Sequence, residues 1–215
     1  MELKRLQTAL LAKVGERIAE YGFDAKPRGQ SYYKRTPFGR LAFHLAFMKH
    51  QADFDTTADV AVRFDELEDL LNQYNTGLTK AERGQTFSLG AEIGNINEGK
   101  QKRWRVSGFD DLEDVSRSIA DAFETVGKPY LDNYSSMESA LGALSGDDRA
   151  AWLHSPIHDQ RAKEALGLAF LLGDRERFRQ IAAAKTEFLA SRNDRGLQSF
   201  LQVTKDLELR FDKRR

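Results

Sequence analysis

One histidine and three aspartates in the middle of the chain have the types and spacing that could support chemistry. Asp53, Asp55 and Asp59 share one face of an extended segment, because side chains alternate between two faces along a strand, and His44 precedes them. Carboxylates placed in this way can act as general acid and base when their environments separate their pKa values. The same spacing is typical of a solvated strand face or a charged sheet edge, which we favour because no pattern indicates burial. A hydrolase-like enzyme centred on His44 and these aspartates is kept as an alternative.

A second candidate is the pair His154 and His158, which has the helical spacing of a two-histidine metal edge and is followed by Asp159. Pro156 lies between the two histidines and disfavours a continuous helix there. The glutamate of the metalloprotease motif does not follow His154, and the chain contains no cysteine. We therefore predict no metal site and no cofactor, and we assign no catalytic residue.

A basic-aromatic cluster supports a further alternative, in which the protein binds RNA or DNA. Aromatic side chains would lie beside phosphate-binding charges if strands near residues 30–35 and 102–106 were neighbours. The basic candidates are Lys34, Arg35, Lys102, Arg103 and Arg105. The chain has 33 basic and 33 acidic residues, and this balance argues against a dedicated nucleic-acid binder.

The elements that must position these residues follow from two hydrophobic periods. Leu3 to Tyr21 carries an apolar stripe at helical spacing, and Gly22 follows it where a left-handed cap is expected. Apolar and polar residues then alternate in segments that predict strands at residues 30–35, 40–50, 54–64, 85–93 and 102–106. Because strands adjacent in sequence usually pair, we predict an α+β fold, with an antiparallel sheet of about five strands covered by helices.

Only helical spacing appears from Asp110 onward. Gly173-Asp174 is predicted to be a tight turn between two helices, because glycine can end one helix and aspartate can cap the next. We predict an α+β domain at residues 1–144 and a helical extension at residues 147–215. That extension, a helical hairpin with a terminal helix, is expected to dock on the first domain or to form a homo-oligomer.

The outer face of the segment 40–50 is small and only partly polar. Ala42, His44, Ala46 and Met48 stand where a solvent-facing strand usually carries longer charged side chains. These residues indicate that a C-terminal helix, a second subunit or a partner protein approaches closely, and we favour the helix.

No segment approaches the roughly 18 consecutive apolar residues that a membrane-spanning helix needs. The N-terminal residues do not form the apolar core of a signal peptide. The lack of cysteine fits a reducing compartment. We therefore expect a cytoplasmic protein that does not bind membranes.

Several motifs occur in a fixed order over about residues 1–144. They are Tyr21-Gly22-Phe23, Tyr32-Tyr33-Lys34-Arg35, the apolar strand Leu41 to Met48, the strand Val60 to Phe64, Trp104, and the helix Leu112 to Val126. In this order the chain resembles an uncharacterised bacterial family, domain of unknown function 4304. The resemblance implies an α+β fold and, for relatives encoded near bacterial toxins, an immunity role. It implies no catalytic residues.

These observations lead us to predict a non-enzymatic protein that binds another protein, in an immunity-type role in which the partner is a bacterial toxin. Dense charge of both signs suits electrostatic complementarity, which speeds encounter and selects partners. The predicted contact residues are His44, Asp53, Asp55, Asp59, Glu66, Glu68 and Asp69.

Overall fold

Alternating apolar residues form an antiparallel sheet in the middle of the chain, as the sequence predicts. The structure, a computed structural model, describes residues 2–213. Its strands are β1 (Ser31–Thr36), β2 (Gly39–Lys49), β3 (Phe54–Phe64), β4 (Leu89–Glu92) and β5 (Trp104–Val106). The strands are hydrogen-bonded in the order β1-β2-β3-β4, and β5 also pairs with β3.

The register of the sheet decides which polar side chains meet on the face away from the core. β1 and β2 are antiparallel, with Ser31 opposite His44. β2 and β3 each have 11 residues, and their hairpin is closed by the backbone bond of 2.9 Å from His50 to Asp53. Continuing that pairing without a bulge sets His44 opposite Asp59, so the two side chains share one face.

Helices make up the rest of the regular structure. They are α1 (Glu2–Ile18), α2 (Asp65–Leu71), α3 (Lys80–Arg83), α4 (Ile93–Glu98), α5 (Leu112–Ala122), α6 (Lys128–Asn133), α7 (Met137–Ser145), α8 (Arg149–His154), α9 (His158–Leu171), α10 (Arg175–Ser191) and α11 (Leu197–Lys213). Short 3-10 turns occur at Ala19–Tyr21 and Phe109–Asp111, and a wider π turn occupies Phe123–Gly127. The predicted α+β fold and the all-helical C-terminal region are therefore confirmed.

The chain divides into two compact units, and each unit is built from two chain segments. One contains the residues up to Val62 together with Gly90–Asn133. The other contains Arg63–Leu89 together with the residues from Tyr134 onward. The predicted domains at residues 1–144 and 147–215 stay a prediction.

The core of the first unit is centred on Phe123. Its ring contacts Phe43 of β2 at 4.8 Å and Phe23 at 5.3 Å between centroids. Tyr32 of β1 is buried and donates its hydroxyl to the carbonyl of Leu11 in α1 at 2.6 Å. Aromatic burial of this kind is the main stabilising contribution that joins the helices to one face of the sheet.

The second unit is a helical assembly around α9. Gly167 of α9 allows close packing, because a Cβ at this position would lie 2.6 Å from a methyl carbon of Leu67 in α2. Phe211 of α11 contacts Phe170 and Phe178 at 4.8 and 5.2 Å. The predicted turn between α9 and α10 is confirmed, since Gly173 has a φ of 74° and Asp174 accepts a bond from the backbone of Arg177.

Two local predictions need correction. The strand predicted at residues 85–93 is limited to β4, because the side chain of Arg63 holds the carbonyl and hydroxyl of Thr86 in an irregular segment. The segment between the strands predicted at residues 85–93 and 102–106, for which the alternating pattern predicts no regular element, contains α4. This helix begins where the carboxylate of Glu92 accepts bonds from the backbone of Gly94 and Asn95. A side-chain cap of this kind satisfies backbone donors that would otherwise stay unpaired.

Candidate functional site

A polar row crosses the sheet of the first unit, on the face away from the core. Ser31 Oγ lies 2.8 Å from His44 Nδ1, and the hairpin pairing continued from His50 and Asp53 sets Asp59 on the next strand opposite His44. Burial lowers the pKa of His44, because desolvation disfavours the charged imidazolium. The lowered pKa favours the neutral imidazole, and the tautomer decides whether Nδ1 of His44 donates to the serine hydroxyl or accepts from it.

Asp59 has a carboxyl group whose pKa is raised to about 6, first by desolvation and second by the charge of Glu92. Glu92 is held in place because its Oε1 also accepts a bond of 3.1 Å from the backbone of Lys102. A carboxyl group whose pKa lies near neutral pH, on the strand next to a half-buried histidine, is a candidate functional group.

The other two aspartates of the predicted polar face, Asp53 directly before β3 and Asp55 within it, do not join the row. Asp53 accepts two bonds from the guanidinium of Arg105, at 2.7 and 3.0 Å. Asp55 lies 3.3 Å from Nε2 of His50. Both carboxylates therefore have cationic or polar partners, and Asp59 is the aspartate that lies opposite His44 when the hairpin pairing is continued.

The face that carries the row is more buried than a solvated strand face. Ala42 and Thr57 are buried, and Ala46 and Met48 are half-buried together with His44. This burial agrees with the small residues seen in the sequence. Which element covers the face stays a prediction.

The acidic residues of α2 lie in the second unit and differ in exposure. Glu66 is exposed and the side chain of Asp69 is 79 % exposed. Glu68 is only 2 % exposed and accepts a bond of 2.8 Å from the hydroxyl of Ser88. Glu66 and Asp69 are thus available to a protein partner, whereas Glu68 is part of the interior.

The basic-aromatic cluster is not brought together, because β1 and β5 are separated by β2 and β3 in the sheet. Three strand spacings of about 4.8 Å place Lys34 and Arg35 roughly 14 Å from β5. In β5, Arg105 binds Asp53, and the ammonium of Lys102 lies 5.0 Å from the centroid of the Trp104 ring. Arg103 donates to Gln101, so these cations do not form one continuous phosphate-binding surface with β1.

The two histidines near Pro156 also take separate roles. α8 ends at His154 and α9 begins at His158, as the proline predicts. His154 is buried and packs on the ring of Tyr134 at 4.7 Å, while Nδ1 of His158 lies 3.1 Å from Arg161. Within residues 2–213, no group of three or more histidine, aspartate or glutamate side chains is placed to hold a metal ion.

Sequence reasoning missed the exposed apolar residues at the turn between α8 and α9. Trp152 is 51 % exposed and Ile157 is 63 % exposed. Trp152 lies on α8, which Asp148 caps by accepting a bond of 2.9 Å from the backbone of Ala151. Helical spacing alone does not show that Ala151 and His154 are buried while Trp152 points away from the core.

The chain was compared with protein-family models, with curated proteins and with solved structures, and no match was found. The resemblance described for residues 1–144 therefore stays a prediction. None of the helices within residues 2–213 has the length and apolar character required to cross a membrane. The fold defines the chain as an α+β protein with a five-stranded antiparallel sheet.

Proposed function

We propose that this protein acts by binding another protein, in an immunity-type role that neutralises a bacterial toxin, and that it does so in the cytoplasm. The observation that carries the proposal is the exposure of Trp152 and Ile157. Tryptophan is the residue type most enriched among energetically dominant interface contacts, because it buries a large apolar surface and loses little rotamer entropy. Two large apolar side chains around one short turn form a surface that a partner would remove from water.

The charged surface of the second unit supports the same proposal. Glu66 and Asp69 are exposed on α2 and provide negative charge for encounter with a basic partner. Exposed charges of this kind mainly change the association rate and its salt dependence, whereas a buried apolar contact sets the dissociation rate. The toxin is suggested by the resemblance over residues 1–144, and the cytoplasmic location by the lack of cysteine.

The proposal is tested by capturing the tagged protein with its partner at native expression level. The partner is then purified, and binding is measured by calorimetry. A Trp152→Ala change should weaken binding roughly 30-fold, which corresponds to about 2 kcal/mol at a dominant contact. Matched controls are Phe109→Ala and Leu209→Ala, which remove side chains of similar exposure, 48 % and 51 %. These should change the affinity less than twofold.

An immunity role also predicts rescue of growth. Cells that express the captured partner should stop growing, and co-expression of the wild-type protein should restore growth. The absence of any partner at 1:1 stoichiometry, or a partner whose binding is indifferent to Trp152→Ala and Ile157→Ala, would count against the proposal.

A second candidate is the hydrolase-like enzyme, favoured by the distance of 2.8 Å between Ser31 Oγ and His44 Nδ1. In such an enzyme His44 would take the hydroxyl proton while Oγ forms a bond to an acyl carbon and the leaving group departs. The test is covalent labelling with a fluorophosphonate, in which Oγ bonds to phosphorus and fluoride leaves. Labelling that persists in Ser31→Ala, or that is absent from the wild type, would remove this candidate.

A further inference from the structure

A polar pocket lies within the second unit. Its volume is about 270 Å³, and it is lined by side chains from three helices and the segment after α2. These side chains include Glu68, Asn72, Tyr74, Asp159, Lys163 and Ser199. A space of this size is smaller than a typical pocket for a drug-sized ligand. It suits the end of one long side chain or a compact polar molecule.

Glu68 gives the pocket a buried carboxylate with unused acceptor capacity. Its Oε1 accepts a bond from Ser88, and its Oε2 lies 3.8 Å from Nη1 of Arg63, which is beyond hydrogen-bond reach. The same Nη1 already donates to the carbonyl and the hydroxyl of Thr86 at 2.7 Å. Among residues 2–213, no hydrogen-bond donor therefore reaches Oε2 of Glu68. The residue as a whole is only 2 % exposed.

Glu68 shares its cation with other carboxylates. The guanidinium of Arg63 is within 4.0 Å of three carboxylates, those of Asp65, Glu68 and Asp69. Asp159 and Lys163 at the pocket form an ion pair of their own at 2.7 Å and add no net charge. The side chains of Asp65 and Asp69 are 50 % and 79 % exposed and do not line the pocket. Glu68, which Arg63 approaches only to 3.8 Å, is therefore the buried carboxylate that can accept from a cationic ligand there.

A second carboxyl group lies behind the pocket wall. Gln160, which lines the pocket, donates its amide to Oε1 of Glu164 at 3.0 Å. Oε2 of Glu164 is buried without a hydrogen-bond partner, and burial together with the charge of Glu68 raises the pKa of Glu164. Glu68 and Glu164 therefore lie close enough for their carboxyl groups to interact.

We propose that this pocket binds a primary ammonium or guanidinium group, with its N–H donors directed to Oε2 of Glu68. Such a group supplies the hydrogen-bond donor that Oε2 of Glu68 lacks, in a charge-assisted bond that is stronger than a bond between neutral groups. Free amines and the side chains of lysine and arginine in a peptide share this chemistry. The inference does not depend on the surface around Trp152.

The test is a titration followed by ¹H–¹⁵N NMR at pH 7. The probes are n-butylammonium, n-butylguanidinium, n-butanol and an acetylated, amidated Gly-Lys-Gly peptide. We expect the two cations to shift the amide signals of the pocket residues with saturation in the millimolar range, at least tenfold more tightly than n-butanol. Saturation by the peptide identifies a protein side chain as the ligand, whereas saturation by the free cations alone identifies a small amine.

Two variants test whether the carboxylate of Glu68 is responsible for the affinity for n-butylammonium. Glu68→Gln removes the charge and retains an acceptor for Ser88, and it should weaken binding of n-butylammonium at least tenfold. Glu66→Gln, an exposed change on the same helix outside the pocket, should leave the affinity within twofold. If Glu68→Gln does not fold, Ser199→Trp at the pocket should abolish binding and leave Glu68 intact. Equal binding of n-butanol and n-butylammonium, or no saturation by either cation, would overturn the proposal.

Discussion

Asp147 joins two buried cations of the second unit, and its removal is a quantitative test of the structure. Lys185 is 1 % exposed and donates to Oδ1 of Asp147 at 2.7 Å. Arg161, which is fully buried, donates to the same oxygen at 3.2 Å. Asp147→Ala therefore leaves two interior positive charges without the carboxylate oxygen to which both donate.

The expected cost follows from these contacts. Two hydrogen bonds to charged groups contribute roughly 1.5 to 3 kcal/mol each, and breaking a buried pair costs roughly 3 to 5 kcal/mol. The side chain of Asp147 is 25 % exposed, so water replaces part of the lost interaction. We expect Asp147→Ala to lower the free energy of unfolding by about 3 kcal/mol.

Removing a cation should cost far less than removing the anion. In Lys185→Met the new side chain fills the space of the lysine stem, and Asp147 retains Arg161, so we expect a loss of about 1 kcal/mol or less. The double variant should be more stable than the sum of the two single changes predicts, by about 1 to 2 kcal/mol, because it no longer buries an unpaired ammonium.

Urea unfolding followed by circular dichroism measures all three variants. The control is Asp132→Ala, whose ion pair with Lys128 has a similar length of 2.6 Å but lies on the surface, where it contributes less than about 0.5 kcal/mol. Equal losses for Asp147→Ala and Lys185→Met, with full additivity in the double variant, would refute the reasoning.

The pH dependence checks the same cluster independently. Burial lowers the pKa of Lys185, so the folded protein releases this proton at a lower pH than the unfolded chain does. Between the lowered pKa and the ordinary value near 10.5 the unfolded state binds more protons, and stability therefore rises with pH. Lys185→Met should lack this rise.

Other predictions concern the first unit and glycine positions. Asp59 has a pKa raised to about 6, so its carboxyl group lowers the stability of the protein as pH rises from about 4 through 6. Asp59→Asn should therefore stabilise the protein by about 2 kcal/mol at pH 7, and its thermal unfolding should lack that pH dependence. A gain at pH 4 equal to that at pH 7 would contradict this. Gly15→Ala should destabilise by about 3 kcal/mol, because its Cβ would lie 2.0 Å from the carbonyl oxygen of Ala25. In Gly142→Ala in α7, the new Cβ has no atom within 4 Å, so this change should stabilise the protein by about 0.5 to 1 kcal/mol. If Gly15→Ala were the more stable of the two variants in urea unfolding, the packing described around Gly15 would be refuted.

Only part of the candidate site could be predicted from the sequence. The position of His44 and the aspartates on one strand face followed from their spacing, because alternation is a local property of an extended chain. The contact between His44 and Ser31 and the place of Asp59 opposite them required the register of three strands. Register depends on which strands pair, and nothing in the local sequence states it.

The sequence by itself determined the secondary structure wherever the hydrophobic period was strong. β3 has the predicted bounds, residues 54–64, and α10 begins directly after the predicted turn at Gly173-Asp174, because amphipathic spacing and helix capping act within a few residues. The tertiary structure alone decided which charged residues are buried. Glu68 is interior because its partners Arg63 and Ser88 come from other segments of the chain, and Trp152 is exposed because its neighbours fill the core instead. Burial is a property of the packed chain, so residues that look equivalent in sequence acquire different electrostatics and different roles.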